Sequence, residues 1–308
     1  MENTIKYSIL IPAYNAGKFI KRSIDSALNQ NTQSNYEVII CNDGSTDNTL
    51  NIIQSYNNDK IKILNNETNQ GGIITRKKLL FNAQGKYIVW LDADDTLELN
   101  CLSVLDKTLK EYDYDIVDFD CYVIQDENEQ CIMEKNIKKL KNTSLLASFF
   151  GINHRCYLWG RCFKKEICIQ HLPEDEKHPF DDIFFVMPFY YYAQSYTTIN
   201  QPLYTYYYYE GFWSQQYKSN FILSEKEYDK QFKARISCFN YNLNFLKIKN
   251  VHKLYMNELL RFIDFEDLIT KILKLENVEV RLQKFHELNE FMSELQKRIV
   301  YEYNNPAL

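Results

Sequence analysis

The chain has 308 residues, enough for one large domain or two smaller ones with a buried core. Its 36 Lys and Arg against 41 Asp and Glu leave a net charge of -5, so there is no overall basic field to hold a nucleic acid. Eight cysteines with no Cys-x-x-Cys pair, and five histidines with no zinc spacing, exclude a disulfide framework or a zinc site and point to reduced, mostly buried thiols of a cytosolic protein.

In chain order, Tyr7 to Ile11 reads as a strand. Lys18 to Asn29 reads as a helix with Ile20, Ile24 and Leu28 on one face, and Tyr36 to Cys41 as a second strand. Thr46 to Tyr56 follows as a helix, Ile61 to Leu64 as a strand, Gly72 to Asn82 as a helix and Tyr87 to Leu91 as a strand. Repeated β-α-β units of this length predict a mixed, mostly parallel sheet flanked by helices. Between about Asp115 and Tyr209 the periodicity is less regular. Here the most apolar run, Ile183 to Ala193, falls short of the roughly 18 residues that span a bilayer and contains Pro188. The N-terminus carries no signal-like apolar stretch, so the expectation is a soluble or peripherally attached protein.

From about Phe221 the chain reads as helix. One stripe carries Val251, Tyr255, Leu259, Phe262, Phe265, Ile269 and Ile272; a second carries Leu282, Phe285, Leu288, Met292, Leu295 and Ile299. Three uses stay open for these stripes: packing back onto the first part of the chain, homodimerisation through the C-terminal helices, or membrane association. The near balance of acidic and basic residues in this tail weighs against the last. The expected division is 1–215 for a catalytic domain, with halves 1–115 and 116–215, and 216–308 for a helical extension.

The most informative segment is Tyr87-Ile88-Val89-Trp90-Leu91-Asp92-Ala93-Asp94-Asp95, where an apolar run ends in three carboxylates within four positions. A buried parallel strand explains the run and puts the acids at its carboxyl end, where open α/β sheets bind ligands. Clustered carboxylates raise one another's pKa unless a cation or donors offset them, so a divalent metal, Mn²⁺ or Mg²⁺, and with it a phosphate-bearing substrate, is the natural reading. Two further clusters sit at strand ends: Ile11-Pro12-Ala13-Tyr14-Asn15 and Cys41-Asn42-Asp43-Gly44-Ser45-Thr46-Asp47. Each alone is ordinary turn chemistry. The 24 Tyr and 19 Phe suit sugar or base recognition, although a compositional drift toward Asn, Lys, Ile and Tyr explains them equally well.

Together, in this order and spacing, the three clusters resemble the family 2 glycosyltransferases, inverting enzymes of the GT-A fold. Asn69-x-Gly71, Arg76, Ala83 and Gly85 match the family's stretch before the acidic motif, and Lys77 and Leu79 depart from it. The resemblance covers about residues 5 to 215. It implies a UDP-sugar donor held by Pro12, Tyr14, Asn15, Asp43, Arg76, Asp92, Ala93 and Asp94, with Asp94 and Asp95 at the metal. Phe180-Asp181-Asp182-Ile183-Phe184-Phe185 is similar to the family's Glu-Asp-x-x-Phe element, which makes Asp182 the candidate base with Asp181 beside it. Trp159-Gly160-Arg161-Cys162-Phe163-Lys164 is similar to an acceptor-side segment, implying that Trp159 and Arg161 meet the acceptor. The run Tyr204 to Tyr209 falls where relatives close a loop over the donor diphosphate.

The processive synthases of that family add membrane helices and a Gln-x-x-Arg-Trp motif, neither of which this sequence has. The implied activity is thus non-processive transfer of a hexose or N-acetylhexosamine to an oligosaccharide or lipid-linked glycan, in the cytoplasm or at the inner membrane face. Two alternatives are a sugar nucleotidyltransferase, which should carry a Gly-rich basic loop after the first strand, and a catalytically silent glycan-binding scaffold of the same fold. A dinucleotide-dependent dehydrogenase is disfavoured because no Gly-x-Gly-x-x-Gly follows a strand.

Overall fold

The structure is a computed structural model that describes residues 4–125, 129–133, 157–173, 181–208, 224–248, 268, 272, 275 and 277–304. The chain divides into two compact units, Met1–Gly211 and Phe212–Leu308. In the first unit the elements are β1 (Tyr7–Ala13), α1 (Ile20–Leu28), β2 (Tyr36–Asp43), α2 (Thr49–Gln54), β3 (Ile61–Asn66), α3 (Gly72–Asn82), β4 (Tyr87–Trp90), β5 (Thr96–Leu97) and α4 (Cys101–Glu111). They continue with β6 (Ile116–Gln125), β7 (Glu129–Met133), β8 (Arg161–Lys164), α5 (Lys165–Gln170), α6 (Asp181–Tyr192) and β9 (Tyr196–Tyr208).

Among the described residues one sheet runs in the order β3-β2-β1-β4-β8-β6-β9-β5, with β7 paired to the other end of β6. The first four strands are mutually parallel, β8 is antiparallel to β4 and β6, and β9 is parallel to β6. This is the mixed, mostly parallel sheet that the sequence predicts. β2 and β4 are buried along their whole length, as expected of inner parallel strands covered on both faces. Ile20, Ile24 and Ala27 of α1 and Leu102, Leu105 and Leu109 of α4 supply the helical side of the core.

Four boundaries differ from the sequence reading for two physical reasons. Strands β1 to β3 run two residues past their apolar cores because parallel pairing continues through polar residues: Ala13 stands opposite Asn42, and Asp43 opposite Asn66. The Asn42 amide also donates to the Asn65 side-chain oxygen at 2.7 Å. Helix α2 starts three residues late because Asp47 is taken up by the neighbouring loop, accepting from the N–H groups of Gly17 and Thr49. In the irregular half, Pro202 lies in β9 where the register with β6 slips between Phe119 and Cys121, the bulge expected where a residue has no N–H to give. The run from Ile183 is a helix buried all round, from Ile183 to Met187 and again at Phe189 and Tyr190.

The second unit contains α7 (Glu225–Ile248) and α8 (Val278–Asn304). The Asn277 side chain caps α8 by accepting from Glu279 N–H at 2.8 Å. Phe232 and Phe291 meet edge to face, with ring centroids 5.6 Å apart. Lys284 lies between the helices, its ammonium 2.8 Å from Asp229, 3.1 Å from Glu287 and 3.3 Å from Glu225. The stripe expected on α8 is therefore turned: Leu288 and Leu295 are buried, whereas Leu282 and Met292 are exposed and Lys284 takes the inward position. The first expected stripe, from Val251 to Ile269, lies outside the described residues, and of it only Ile272 is described, buried. No helix among the described residues is long and apolar enough to cross a membrane.

Asp106 of α4 fastens the N-terminal edge of the first unit. Its carboxylate accepts from Lys6 Nζ (2.6 Å), Tyr7 Oη (2.9 Å), Thr32 Oγ1 (2.6 Å) and Ser34 Oγ (2.7 Å). Burial pushes its pKa up, but hydrogen bonds from Lys6, Thr32, Ser34 and Tyr7 outweigh this and hold it below the usual carboxylate range. A depressed folded-state value gives stabilisation that is complete above the unfolded value of about 3.9 and lost as pH falls through the folded one. Asp106→Asn should lower unfolding free energy by about 2 kcal/mol at neutral pH. Denaturant titrations repeated in increasing acid should show the two proteins converging.

Candidate active site

Because β3, β2, β1 and β4 are parallel, their carboxyl ends share one edge, and the three sequence clusters meet there. The loops after β1 and β2 are laced together. Asn15, at φ 50°, accepts Thr46 N–H on its side-chain oxygen (2.8 Å) and donates its own N–H to Ser45 Oγ (3.0 Å). Tyr14 projects half-exposed from this loop, and Pro12 lies in β1 opposite Cys41. Asp43 is buried and organises the next loop, accepting from Asn66 Nδ2 (2.8 Å), Gln70 N–H (2.9 Å) and Gly71 N–H (2.9 Å). Gly44 follows at φ +65°, where a Cβ would stand 2.4 Å from the carbonyl carbon of Thr68, so only glycine fits between the two loops.

The acidic loop after β4 is held from two sides. Helix α1 grips its backbone: Arg22 donates to the Asp94 carbonyl and Ser23 Oγ to the Asp95 carbonyl (2.6 Å). Strand β9 grips Asp95, with Tyr204 Oη donating to Oδ2 (2.6 Å) and Tyr207 N–H to Oδ1 (2.9 Å). Tyr204 Oη also accepts Asp92 N–H (3.2 Å). Asp95 is 0% exposed; burial, then the charges of Asp94 and Asp92, push its pKa well up, against the donors from β9. Asp95 is thus an anchor of the loop, with both its oxygens turned inward and engaged. Ala93 is buried beside it, and the Asp94 carboxylate remains at the site, its pKa raised by burial against the opposing pull of its backbone and Arg22.

Arg76, near the start of α3, joins the two halves of the unit. Its Nη2 lies 2.9 Å from Asp182 Oδ1 and 3.6 Å from Asp92 Oδ1, and its guanidinium lies 5.3 Å from the Trp90 ring. Asp182 is further positioned by Leu158 N–H, which donates to its Oδ2 at 3.2 Å. Asp181 opens α6, and its side chain is outside the described residues.

The two acceptor residues read from the sequence are internal. Arg161 is 2% exposed and donates to Asp118 Oδ1 (3.0 Å), Tyr190 Oη (3.0 Å) and the Tyr157 carbonyl. Burial works against its charge, but Tyr190 and Asp118 more than offset this and raise its pKa. Trp159 is buried in a stack with Tyr157, Tyr204 and Tyr206. Both side chains are thus engaged by neighbours within the unit.

Residues 8–172 match the profile of Glycosyl transferase family 2. The chain belongs to this family. It is 38% identical over 147 residues to chondroitin synthase of Pasteurella multocida strain Pm70, a match covering 47% of this chain and 14% of that protein. To the Escherichia coli UDP-Glc:alpha-D-GlcNAc-diphosphoundecaprenol beta-1,3-glucosyltransferase WfgD it is 39% identical over 97 residues, 32% of this chain and 38% of that one. The chain thus spans well under half the length of these two relatives. Its fold is that of S. aureus TarS 1-349, at TM-score 0.67 and 20% identity over 96% of this chain and 82% of that one. A crystal structure of TarS 1-349 in complex with UDP-GlcNAc superposes at TM-score 0.63 and 20% identity, over 88% and 79% of the two chains.

For a glycosyl transferase of this family the donor set suits a divalent cation in one form. No cluster of three His, Cys, Asp or Glu side chains able to hold a metal occurs among the described residues. An ion that takes one or two carboxylates and completes its shell with phosphate oxygens and water fits Asp94, a carboxylate that burial leaves under-compensated. Sequence reasoning missed Arg22 and Leu158 and took the run Tyr204 to Tyr209 for a loop, whereas residues up to Tyr208 belong to strand β9 and Tyr204 and Tyr207 hold Asp95. The richness of the run in Tyr and Thr was the signal for a strand; Leu158 acts through its backbone and leaves no signal at all.

The buried Arg161–Asp118 pair gives a direct check on the internal placement of Arg161. Arg161→Met should cost about 3–5 kcal/mol of stability by stranding the Asp118 carboxylate, whereas Arg161→Met with Asp118→Asn should recover most of it. Chemical denaturation of the three proteins distinguishes this from a surface arginine, whose loss would leave the midpoint unmoved.

Proposed function

We propose that the chain transfers a hexose or N-acetylhexosamine from a UDP-sugar to a hydroxyl of an oligosaccharide or lipid-linked glycan, non-processively and with inversion. The observation that carries this reading is Arg76, which holds Asp92 of the acidic loop and Asp182 of α6 at one point. Donor-side and acceptor-side carboxylates then face a common space, as direct displacement requires. The name of WfgD and the UDP-GlcNAc complex of TarS support a UDP-sugar donor.

In this reading Tyr14 lines the uridine pocket with Pro12 and the Asn15 loop, and Asp43 receives the imide N–H of uracil. Asp43 accepts three hydrogen bonds, and a carboxylate can accept about four. Asp92 and Ala93 lie by the ribose and donor sugar. Asp94, with Asp95 beside it, would hold Mn²⁺ or Mg²⁺, which would supply Lewis-acid stabilisation of the departing diphosphate. Asp182, oriented by Leu158 N–H and Arg76, removes the proton from the attacking hydroxyl, with Asp181 as its neighbour. Transfer at the cytoplasmic face of the membrane suits a lipid-linked acceptor.

Asp182→Asn keeps the side chain's shape and removes the base. It should lower kcat about 10²–10⁴-fold while UDP binding in Mn²⁺, followed by calorimetry, changes less than about twofold. Full turnover by Asp182→Asn would defeat the assignment of the base. No turnover and no nucleotide binding by the wild type would favour the silent scaffold.

A further inference from the structure

Just before the acidic loop, β4 ends in Trp90, which stands opposite Leu10 of β1. Its side chain is 0% exposed and among the largest that are wholly buried among the described residues. The guanidinium of Arg76 lies over the Trp90 ring, 5.3 Å from its centroid, and the same guanidinium reaches Asp182 Oδ1 at 2.9 Å and Asp92 Oδ1 at 3.6 Å. Arg76 is itself buried.

A buried tryptophan usually finds an acceptor for its indole N–H. The Nε1–H of Trp90 is buried and has none among the described residues. An unmade buried hydrogen bond is a cost that phenylalanine, with no donor to satisfy, would not carry. What an indole offers beyond a phenyl ring is the stronger attraction of its face for a cation, and that attraction is largest where both partners are out of water. The two carboxylate contacts of Arg76 given above both use Nη2, and contacts through one atom do not by themselves set the plane of a guanidinium. A flat ring against a flat cation does.

We infer that Trp90 is the positioning residue of Arg76: its indole face fixes the plane and depth at which the guanidinium stands between Asp92 and Asp182. Trp90 acts on the site through Arg76. A residue that only filled the core would give way equally well to any large apolar side chain, whereas one that aims a cation gives way only to another ring. The placement of Arg76 does not depend on what the chain transfers; the effect on turnover rests on the proposed transferase reading.

The test uses the full chain with isotope-labelled arginine and NMR of the guanidinium protons, the Arg76 signal being assigned through Arg76→Lys. In the wild type that signal should be displaced upfield by the ring current of Trp90. Trp90→Phe should keep part of the displacement, and Trp90→Met, apolar but without a ring, should abolish it. Hydrolysis of UDP-glucose and UDP-N-acetylglucosamine in Mn²⁺, with water as the acceptor, is followed on the same proteins. Turnover should stay within about threefold of wild type in Trp90→Phe and fall about ten- to thirtyfold in Trp90→Met. An Arg76 signal that neither substitution moves, or turnover lost equally in both variants, would overturn the inference. Where Trp90→Met does not fold, Trp90→Phe decides: the weaker phenyl ring current must draw the signal part-way back, and an unmoved signal overturns the inference. A wild type whose Arg76 signal answers to Trp90 but which hydrolyses neither UDP-sugar would count against the donor reading and leave the placement of Arg76 standing.

Discussion

Three carboxylates at the end of one buried strand are a liability that the rest of the first unit is built to offset. Each is handled differently. Asp95 is withdrawn and given the Tyr204 hydroxyl and Tyr207 N–H from β9. Asp92 is set near Arg76 of α3. Asp94 is eased by a backbone hydrogen bond and by the charge of Arg22, which do not outweigh its burial. Since Asp95 is held by the last strand of the unit, the acidic loop depends on a segment more than a hundred residues away, and the two halves of the unit stand or fall together.

Much of the fold was legible because it rests on patterns that are local in sequence. The apolar runs of β1, β2 and β4, the stripe of α1 and the bounds of α3 follow from burial periodicity alone. What the pattern could not show was where polar residues continue an element or end it. Asn42 and Asn65 extend the β2–β3 ladder by pairing side chains, and Asp47 shortens α2 by serving the β1 loop. Lys284 defeated the stripe on α8 for a related reason: with three carboxylates around it, a lysine can take an inward position that periodicity reserves for leucine.

The site residues divide along the same line. Tyr14, Asp43, Asp92 and Asp94 fall at strand ends, and parallel pairing brings strand ends together. Asp95, Trp159 and Arg161 belong to the same motifs and are buried, engaged by Tyr204, the tyrosine stack and Asp118. A motif records that a residue type belongs at a position; it does not separate a residue that touches ligand from one that holds its neighbour. Trp159 and Asp95 meet at Tyr204, which stacks on one and hydrogen-bonds the other.

Arg76 carries the remaining coupling. Its guanidinium compensates Asp182 at 2.9 Å and, less closely, Asp92 at 3.6 Å, so one cation serves the proposed base and the donor side together. Within the proposed reaction these demands change in opposite directions. As Asp182 takes the acceptor's proton it loses the charge that Arg76 offsets, and as the diphosphate departs, negative charge grows on the donor side. A cation held between them with little exposure is compensated at both stages without moving. It needs no solvent reorganisation as charge crosses the site, and that is the sense in which preorganised charge lowers a barrier.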